Sequence, residues 1–203
     1  MKILMIKIKT VKKLDKQTLQ YLMKIGADGF ARTYIDKAYL LPYMEDTNSF
    51  ILIYEEDEKI LAFSACSIWN SQELLAYYSE HIEIFKEHNI TEESSLKLGM
   101  IKTIAVDIDF RKKGIGKKLF EESEKKLIDM GIETLCVPAW IYNSFTPMGR
   151  ILHQLNYKFW FQLKQPWLYA CKDNINFCPH RKDNLECICD SDFYIKEKPC
   201  KQN

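Results

Sequence analysis

Residues 103–130, TIAVDIDFRKKGIGKKLFEESEKKLIDM, constrain the fold of this chain more than any other segment. The apolar run up to Val106 predicts a buried strand, and the apolar spacing after Gly114 predicts a helix that ends at Gly131. Residues 111–118 between them hold two glycines and five basic residues. The first N–H groups of a helix have no partner within it and carry the positive end of its dipole. The junction therefore predicts a turn that binds a phosphate.

Two common phosphate motifs do not fit this turn. The Walker pattern requires a glycine where Arg111 stands and a hydroxyl where Lys118 stands. The dinucleotide fingerprint requires a small residue at the position of Leu119. A merely solvated basic turn is the alternative, but the strand before the turn and the helix after it favour an anion site.

The rest of the chain alternates strand and helix patterns. Asp15 and the pair Asn70 and Glu73 are typical helix starts, whereas Pro42 is expected to end a helix. Residues 50–69 predict a hairpin around an acidic turn, and residues 132–140 predict a short buried strand. The order β-α-α-β-β-α-β-α-β-α-β predicts an α/β protein in which helices cover a partly parallel, mixed sheet.

Charge and composition exclude several classes of protein. The 203 residues contain 29 Lys and Arg against 28 Asp and Glu, which is not the basic excess of a general nucleic-acid binder. Apolar runs are too short to span a membrane, and lysines interrupt the N-terminal segment, unlike in a signal peptide. We therefore expect a cytoplasmic protein with no nucleic-acid or membrane partner.

The segment from Arg111 to Gly116, RKKGIG, resembles the Arg/Gln-x-x-Gly-x-Gly/Ala signature of the GCN5-related N-acetyltransferase (GNAT) family. Residues 50–69 are similar to the family's second and third strands, and residues 132–140 to its fifth. The resemblance implies a central, largely antiparallel sheet whose parallel fourth and fifth strands splay apart, flanked by helices. It implies an acetyltransferase domain over residues 1–170 and a Cys-rich C-terminal extension over residues 171–203.

The resemblance also implies the cofactor and the residues that hold it. Acetyl-CoA would lie between the splayed strands, with its pantetheine arm paired to the backbone of the fourth strand and its pyrophosphate on the amides of residues 112–117. Arg111 and nearby lysines would neutralise the 3′-phosphate, and Asn143 would touch the cofactor or cap a helix. The expected cofactor-binding residues are Ile104, Ala105, Val106, Arg111, Lys112, Lys113, Gly114, Ile115, Gly116, Lys117 and Asn143.

The catalytic groups are less clear from the sequence. The Val106 N–H is the candidate to polarise the thioester carbonyl, as a backbone N–H of the fourth strand does in the family. Leu152 stands where the family often has a tyrosine that protonates the leaving sulfur, so Tyr142 and His153 are the substitutes considered. No general base is assigned, although Glu80, His81 and Glu83 come from a segment near the cleft. Cys136 is expected to be a small buried hydrophobe.

Five of the seven cysteines fall in the last 33 residues. Cys178, His180, Cys187 and Cys189 form a set of soft ligands that predicts a structural zinc site, and Cys171 or Cys200 could replace one of them. Exposed thiols in a polar tail are the alternative.

These patterns predict an acyltransferase that moves an acetyl group from acetyl-CoA to a primary amine by direct attack in a ternary complex. The acceptor is expected to be a small molecule or a peptide, and a second copy of the chain, forming a homodimer, is counted among the partners. The alternative is a non-catalytic acyl-CoA-binding or partner-binding module with a zinc-stabilised tail.

Overall fold

A computed structural model of the chain describes residues 6–30, 35–141, 145–168 and 189–197. Strands and α-helices alternate through these ranges, with short 3₁₀ turns at 79–81 and 108–110. The strands are β1 (Ile6–Thr10), β2 (Ser49–Glu56), β3 (Lys59–Asn70), β4 (Lys97–Val106), β5 (Thr134–Ile141), β6 (Lys158–Leu163) and β7 (Asp190–Glu197). The helices are α1 (Lys16–Gly29), α2 (Lys37–Leu40), α3 (Pro42–Glu45), α4 (Ser71–Tyr77), α5 (Ile82–Glu87), α6 (Ile115–Asp129) and α7 (Gly149–Gln154).

The seven strands form one sheet in the order β1-β2-β3-β4-β5-β7-β6. Neighbouring strands are antiparallel except β4 and β5, which are parallel. That parallel pairing covers only Leu98–Met100 against Thr134–Cys136, so the two strands part beyond it. The expected mixed sheet with splayed central strands is therefore confirmed.

The last strand of the sheet comes from the segment expected to be a C-terminal extension. β7 lies between β5 and β6 and pairs with both along most of its length. Phe193, at the centre of β7, is fully buried against Phe85 and Phe161. A boundary between domain and extension must therefore leave residues 190–197 with the domain.

Helices cover both faces of the sheet. The amphipathic α6 buries Leu119, Phe120 and Leu127 on one face, where Ser123 also hydrogen-bonds Ser64 of β3 at 2.7 Å. Helices α1 to α3 form a second apolar cluster on the opposite face, and α4 and α5 pack with β6 and β7 in a third. Within the described ranges, no helix has the length and apolar character needed to cross a membrane.

Side-chain caps fix the starts of three helices, α1, α2 and α4. The Asp15 carboxylate accepts a hydrogen bond from the Thr18 N–H at the start of α1, and Asn70 and Glu73 form a reciprocal capping box at the start of α4. As expected, the helix before Pro42 ends there: α2 stops at Leu40, with Leu41 as its C-cap. A new helix, α3, then begins at Pro42 itself, which was not expected. Pro42 occupies the first turn of α3, where its missing N–H would have had no helical partner anyway.

Candidate active site

The cleft between β4 and β5 holds a cavity of about 860 Å³, a size suited to a large ligand. It runs from the glycine turn before α6, along the free edge of β4, to aromatic side chains beyond β5. Many of the residues expected to bind acetyl-CoA line it. Those residues are Ile104, Ala105, Val106, Arg111, Lys112, Gly114, Ile115, Gly116 and Lys117.

The glycine turn has the backbone of an anion site. Lys112 and Gly114 both adopt left-handed conformations, with φ of 61° and 80°, a geometry that gathers consecutive N–H groups on one side. Gly114 is the residue before the first turn of α6, and no side chain caps that helix. The leading N–H groups of α6 are therefore left for a ligand, at the end of the helix that carries the positive dipole.

Gly116 keeps the first turn of α6 close to the end of β4. A Cβ atom built on Gly116 would lie 3.4 Å from the Val106 Cγ2 atom, which is ordinary contact. The helix backbone thus lies directly against the strand, and a larger side chain at this position would extend into the cavity that Gly116 lines. The absence of a side chain leaves that space for the ligand.

The free edge of β4 offers backbone groups to the cleft. Asp107 donates its N–H to the Leu61 carbonyl oxygen on the β3 side, and hydrogen bonds alternate along an antiparallel ladder. The backbone of Ala105 therefore also faces β3, whereas the backbones of Ile104 and Val106 face the cleft. Of the three residues expected to pair with a pantetheine arm, Ile104 and Val106 have that orientation, and Ala105 contributes only its side chain.

The Arg111 side chain lines the cavity and is hydrogen-bonded to two backbone carbonyls. Its Nε atom donates to the Val106 carbonyl oxygen at 3.1 Å, and its Nη2 atom donates to the Asp28 carbonyl oxygen at 2.8 Å. The planar guanidinium can donate to two carbonyl oxygens at once, and it thereby links the end of β4 to the end of α1. In this arrangement the positive charge of Arg111 lies at the cleft wall, and the Val106 carbonyl is already bonded.

The basic residues of the turn divide into two groups. Lys112 and Lys117 line the cavity, where their ammonium groups can neutralise phosphate charge. The Lys113 amine lies over the ring of Phe110, 4.5 Å from its centroid, and Lys113 does not line the cavity. Lys113 therefore contacts a residue of the cavity wall without lining the cavity itself.

The other end of the cavity contains a lysine that the sequence analysis did not single out. The β3–β4 register skips one residue: Ile101 pairs with Cys66 and Thr103 with Ala65, so Lys102 bulges out of the ladder. Lys102 lines the cavity, and its amine lies 4.2 Å from the ring centroid of Trp69 and 4.1 Å from that of Tyr77. Burial lowers the pKa of the Lys102 amine to about 7.

Two aromatic rings contact the Lys102 amine, and further aromatic side chains are hydrogen-bonded to the residues beside it. The Trp69 and Tyr77 rings lie 5.0 Å apart, and the Tyr77 side chain is hydrogen-bonded to that of Trp167, which also lines the cavity. On α2 the Tyr39 hydroxyl is hydrogen-bonded to the hydroxyl of Thr103, the residue after Lys102. Burial raises the pKa values of both tyrosines, so their hydroxyls stay protonated at neutral pH.

The candidate acids and bases named from the sequence do not converge on the cavity. His153 is exposed on α7 and does not line the cavity, and Leu152 beside it is fully buried. Glu80 and Glu83 are exposed outside the cleft, and burial lowers the pKa of the nearby His81 imidazole. Tyr142 and Asn143 lie outside the described residues.

The predicted zinc ligands are largely outside the described part of the chain. Cys178, His180 and Cys187 fall between residues 168 and 189, and Cys189 is buried where it lines the cavity. Among the described residues no group of three His, Cys, Asp or Glu side chains is placed to hold a metal ion. The described residues therefore give no support to the predicted zinc site, three of whose four ligands lie outside them. Cys136 is fully buried in β5, as expected, and burial raises its pKa.

Solved acetyltransferases share this fold. Arabidopsis thaliana NAA60 in complex with acetyl-CoA has a TM-score of 0.65 and 16% identity, covering 95% of this chain and 98% of its own. The ribosomal-protein-S18-alanine N-acetyltransferase from Escherichia coli has a TM-score of 0.60 and 12% identity, covering 98% of each chain. A GNAT family acetyltransferase from Elizabethkingia anophelis with acetyl-CoA bound has a TM-score of 0.56 and 17% identity, covering 96% of this chain and 97% of its own.

The family is shown by the sequence itself. The model of the acetyltransferase (GNAT) family matches residues 17–140, from α1 through β5, so it includes the glycine turn and both splayed strands. No curated protein matches the sequence at a significant level. The chain belongs to the acetyltransferase (GNAT) family, which confirms the family resemblance and the predicted enzyme class, an acyltransferase.

Proposed function

We propose that this protein transfers an acetyl group from acetyl-CoA to a primary amine by direct attack in a ternary complex. The observation that carries the proposal is continuity within one cavity: the free edge of β4 leads without interruption to the uncapped N-terminus of α6. A ligand with an extended amide-containing arm and a pyrophosphate at its end matches both features.

Each part of acetyl-CoA has a counterpart in the cleft. The N–H groups of the first turn of α6, from Ile115 to Lys117, would hold the pyrophosphate, with Lys112 adding charge. The cleft-facing N–H and C=O groups of Ile104 and the N–H group of Val106 would pair with the pantetheine amides as a neighbouring strand does, since the Val106 carbonyl accepts from Arg111. When bound, acetyl-CoA supplies the activated acetyl group as its thioester.

The chemistry requires that the thioester carbonyl be polarised and that the acceptor nitrogen be neutral when it attacks. The cleft-facing N–H groups of Val106 and Ile104 are the donors available along β4 for the developing oxyanion. Ile104 lies nearer than Val106 to the point where β4 and β5 part, beyond Met100. The acceptor would enter from the aromatic end of the cavity, where Trp167 and Lys102 lie.

Calorimetry can test the donor site with two probes that share the same thioester. Acetyl-CoA is expected to bind at micromolar concentration, and acetyl-pantetheine on the order of 100-fold more weakly, because it lacks the phosphates that the turn would hold. Equal affinity for the two probes would refute the assignment of the turn to the pyrophosphate.

Release of free CoA thiol tests the transfer itself. The protein is incubated with acetyl-CoA and a panel of amines comprising amino acids, polyamines and short peptides with free N-termini, and each product is identified by its added acetyl mass. Amine-dependent thiol release supports the proposal. Tight binding of acetyl-CoA without thiol release across the panel would show a binding module in place of an enzyme.

A further inference from the structure

We propose that Lys102 is the general base of this acetyltransferase, taking the proton from the acceptor amine before it attacks. The inference rests on the proposed function and extends it to the acceptor side of the cleft. The evidence for this inference is the position of Lys102, which lies at the β4 bulge and lines the cavity.

The bulge explains why this side chain reaches the cleft. Residues on either side of Lys102 remain in register with β3, so the extra residue is turned out of the ladder without disturbing the strand. Lys102 thereby lies two residues from Ile104, whose backbone faces the cleft. An acceptor nitrogen that approaches a thioester held along β4 would pass close to the Lys102 side chain.

Burial, without an ion pair among the described residues, favours the neutral form of the Lys102 amine. No carboxylate among the described residues forms an ion pair with Lys102, and no Asp, Glu or His among them lines the cavity. Burial alone lowers the Lys102 pKa to about 7, so a large fraction of the side chain is neutral at neutral pH. The faces of Trp69 and Tyr77 favour the ammonium form and can hold the proton once it has been taken.

Other titratable and charged groups near this end of the cavity cannot play the same part. The charged residues that line the cavity with Lys102 are the cations Arg111, Lys112, Lys117 and Arg150. The Tyr39 and Tyr77 hydroxyls have raised pKa values and remain protonated. Cys189 lines the cavity as a buried thiol. His81, in the turn after α4, titrates below its usual range because of burial and lies outside the cavity lining.

The acceptor enters as an ammonium ion and gives one proton to the neutral Lys102 Nζ atom. The acceptor nitrogen then attacks the thioester carbonyl carbon, the N–C bond forms and the C–S bond breaks. The second proton lost from the nitrogen leaves with the sulfur as the CoA thiol. Lys102 returns its proton to water, and the protein is unchanged.

A pH profile with two variants tests this role. For an amine found in the panel, wild-type kcat is expected to rise with pH and level off above about 7, because Lys102 is neutral above its pKa. In Lys102→Met and Lys102→Arg, kcat at pH 7.5 is expected to fall on the order of 100-fold and to keep rising with pH without a plateau. The affinity for acetyl-CoA should stay within about threefold of wild type in both variants.

The Lys102→Arg variant separates base catalysis from charge, because it keeps the cation but cannot lose its proton near neutral pH. His81→Gln is the matched control, since His81 follows α4, the helix that carries Tyr77, and lies outside the cavity lining, so it should leave the pH profile unchanged. A plateau that persists in Lys102→Met, or a uniform loss of rate at every pH, would overturn the proposal.

A second measurement does not depend on turnover. The apo protein is labelled with trace acetic anhydride across a pH series, and the modification of each lysine is measured by peptide mass spectrometry. Labelling of Lys102 is expected to have its midpoint near pH 7, well below that of a lysine-containing reference peptide labelled in the same reaction. A Lys102 midpoint that matches the reference peptide would refute the base role even if the enzyme acetylates amines. Absence of thiol release with every amine would instead refute the proposed function.

Discussion

The two ends of the cleft differ in the chemical groups that form them. At the glycine turn, backbone N–H groups and exposed lysines within one short segment form the site. At the opposite end, side chains from β3, α4, β4 and the segment after β6 meet around the Lys102 amine. The first arrangement suits a ligand that never changes, such as the phosphates of CoA. The second depends on side-chain identity, and substitutions there can alter the acceptor without affecting the donor.

The largest expected effect comes from filling the glycine end. Gly116→Trp should weaken acetyl-CoA binding by at least about 100-fold, because the side chain would occupy the space beside the α6 N-terminus. The melting temperature should change little, since Gly116 is helical and a Cβ atom there meets only ordinary contact with Val106. Calorimetry and a thermal melt measure the two quantities.

Glu122→Trp is the matched control, because Glu122 is exposed on the same helix and does not line the cavity. It should bind acetyl-CoA like wild type. If the two ends of the cleft are independent, filling the glycine end should not affect Lys102. In the Gly116→Trp variant, labelling of Lys102 by acetic anhydride should therefore keep its midpoint near pH 7. A shift of that midpoint toward an ordinary lysine value would mean that the two ends are not independent.

The features that could be predicted from the sequence are those that depend only on residues close together in the chain. Gly114, Gly116 and the caps at Asp15 and Asn70 act within a few residues of themselves, so their spacing alone predicts what they do. The order of the strands up to β6 was predicted for the same reason, although the structure has three helices between β1 and β2 and two α-helices between β3 and β4, where two and one were predicted.

Features that depend on tertiary contact could not be predicted in the same way. Lys102 looks like any polar residue in a strand until the bulge and the rings of Trp69, Tyr77 and Trp167 are in place. The insertion of β7 between β5 and β6 likewise depends on long-range pairing, which the run of residues 190–197 does not encode locally. The Arg111 hydrogen bond to Asp28 joins two segments far apart in the chain.

An intermediate effect is expected at Arg111, which joins the end of β4 to the end of α1. Arg111→Ala removes hydrogen bonds to the Val106 and Asp28 carbonyls, and because the side chain is exposed we expect a loss of about 1 to 2 kcal/mol in unfolding free energy. The melting temperature should fall by about 3 to 8 °C, and acetyl-CoA affinity by about tenfold.

Arg111→Lys distinguishes the structural contribution from the charge. A single ammonium group cannot span both carbonyls as the guanidinium does, so the lysine variant should recover affinity more than stability. Thermal melts and calorimetry on the three proteins measure both. If Arg111→Ala lost affinity with no change in melting temperature, the tie between β4 and α1 would contribute nothing, and Arg111 would act only through its charge at the donor end.

The smallest expected effect lies at the acceptor end, in Tyr77→Phe. The substitution keeps the ring under the Lys102 amine and removes the hydroxyl that is hydrogen-bonded to Trp167, a neutral bond worth about 1 kcal/mol. Because Trp167 forms part of the cavity wall, the KM for the acceptor should rise about three- to fivefold, whereas the Kd for acetyl-CoA should not change. Tyr21→Phe on α1, outside the cavity lining, is the control and should alter neither constant. A change in the Kd for acetyl-CoA as large as the change in KM would show that the aromatic end takes part in donor binding, and the division of the cleft into two separable halves would then be wrong.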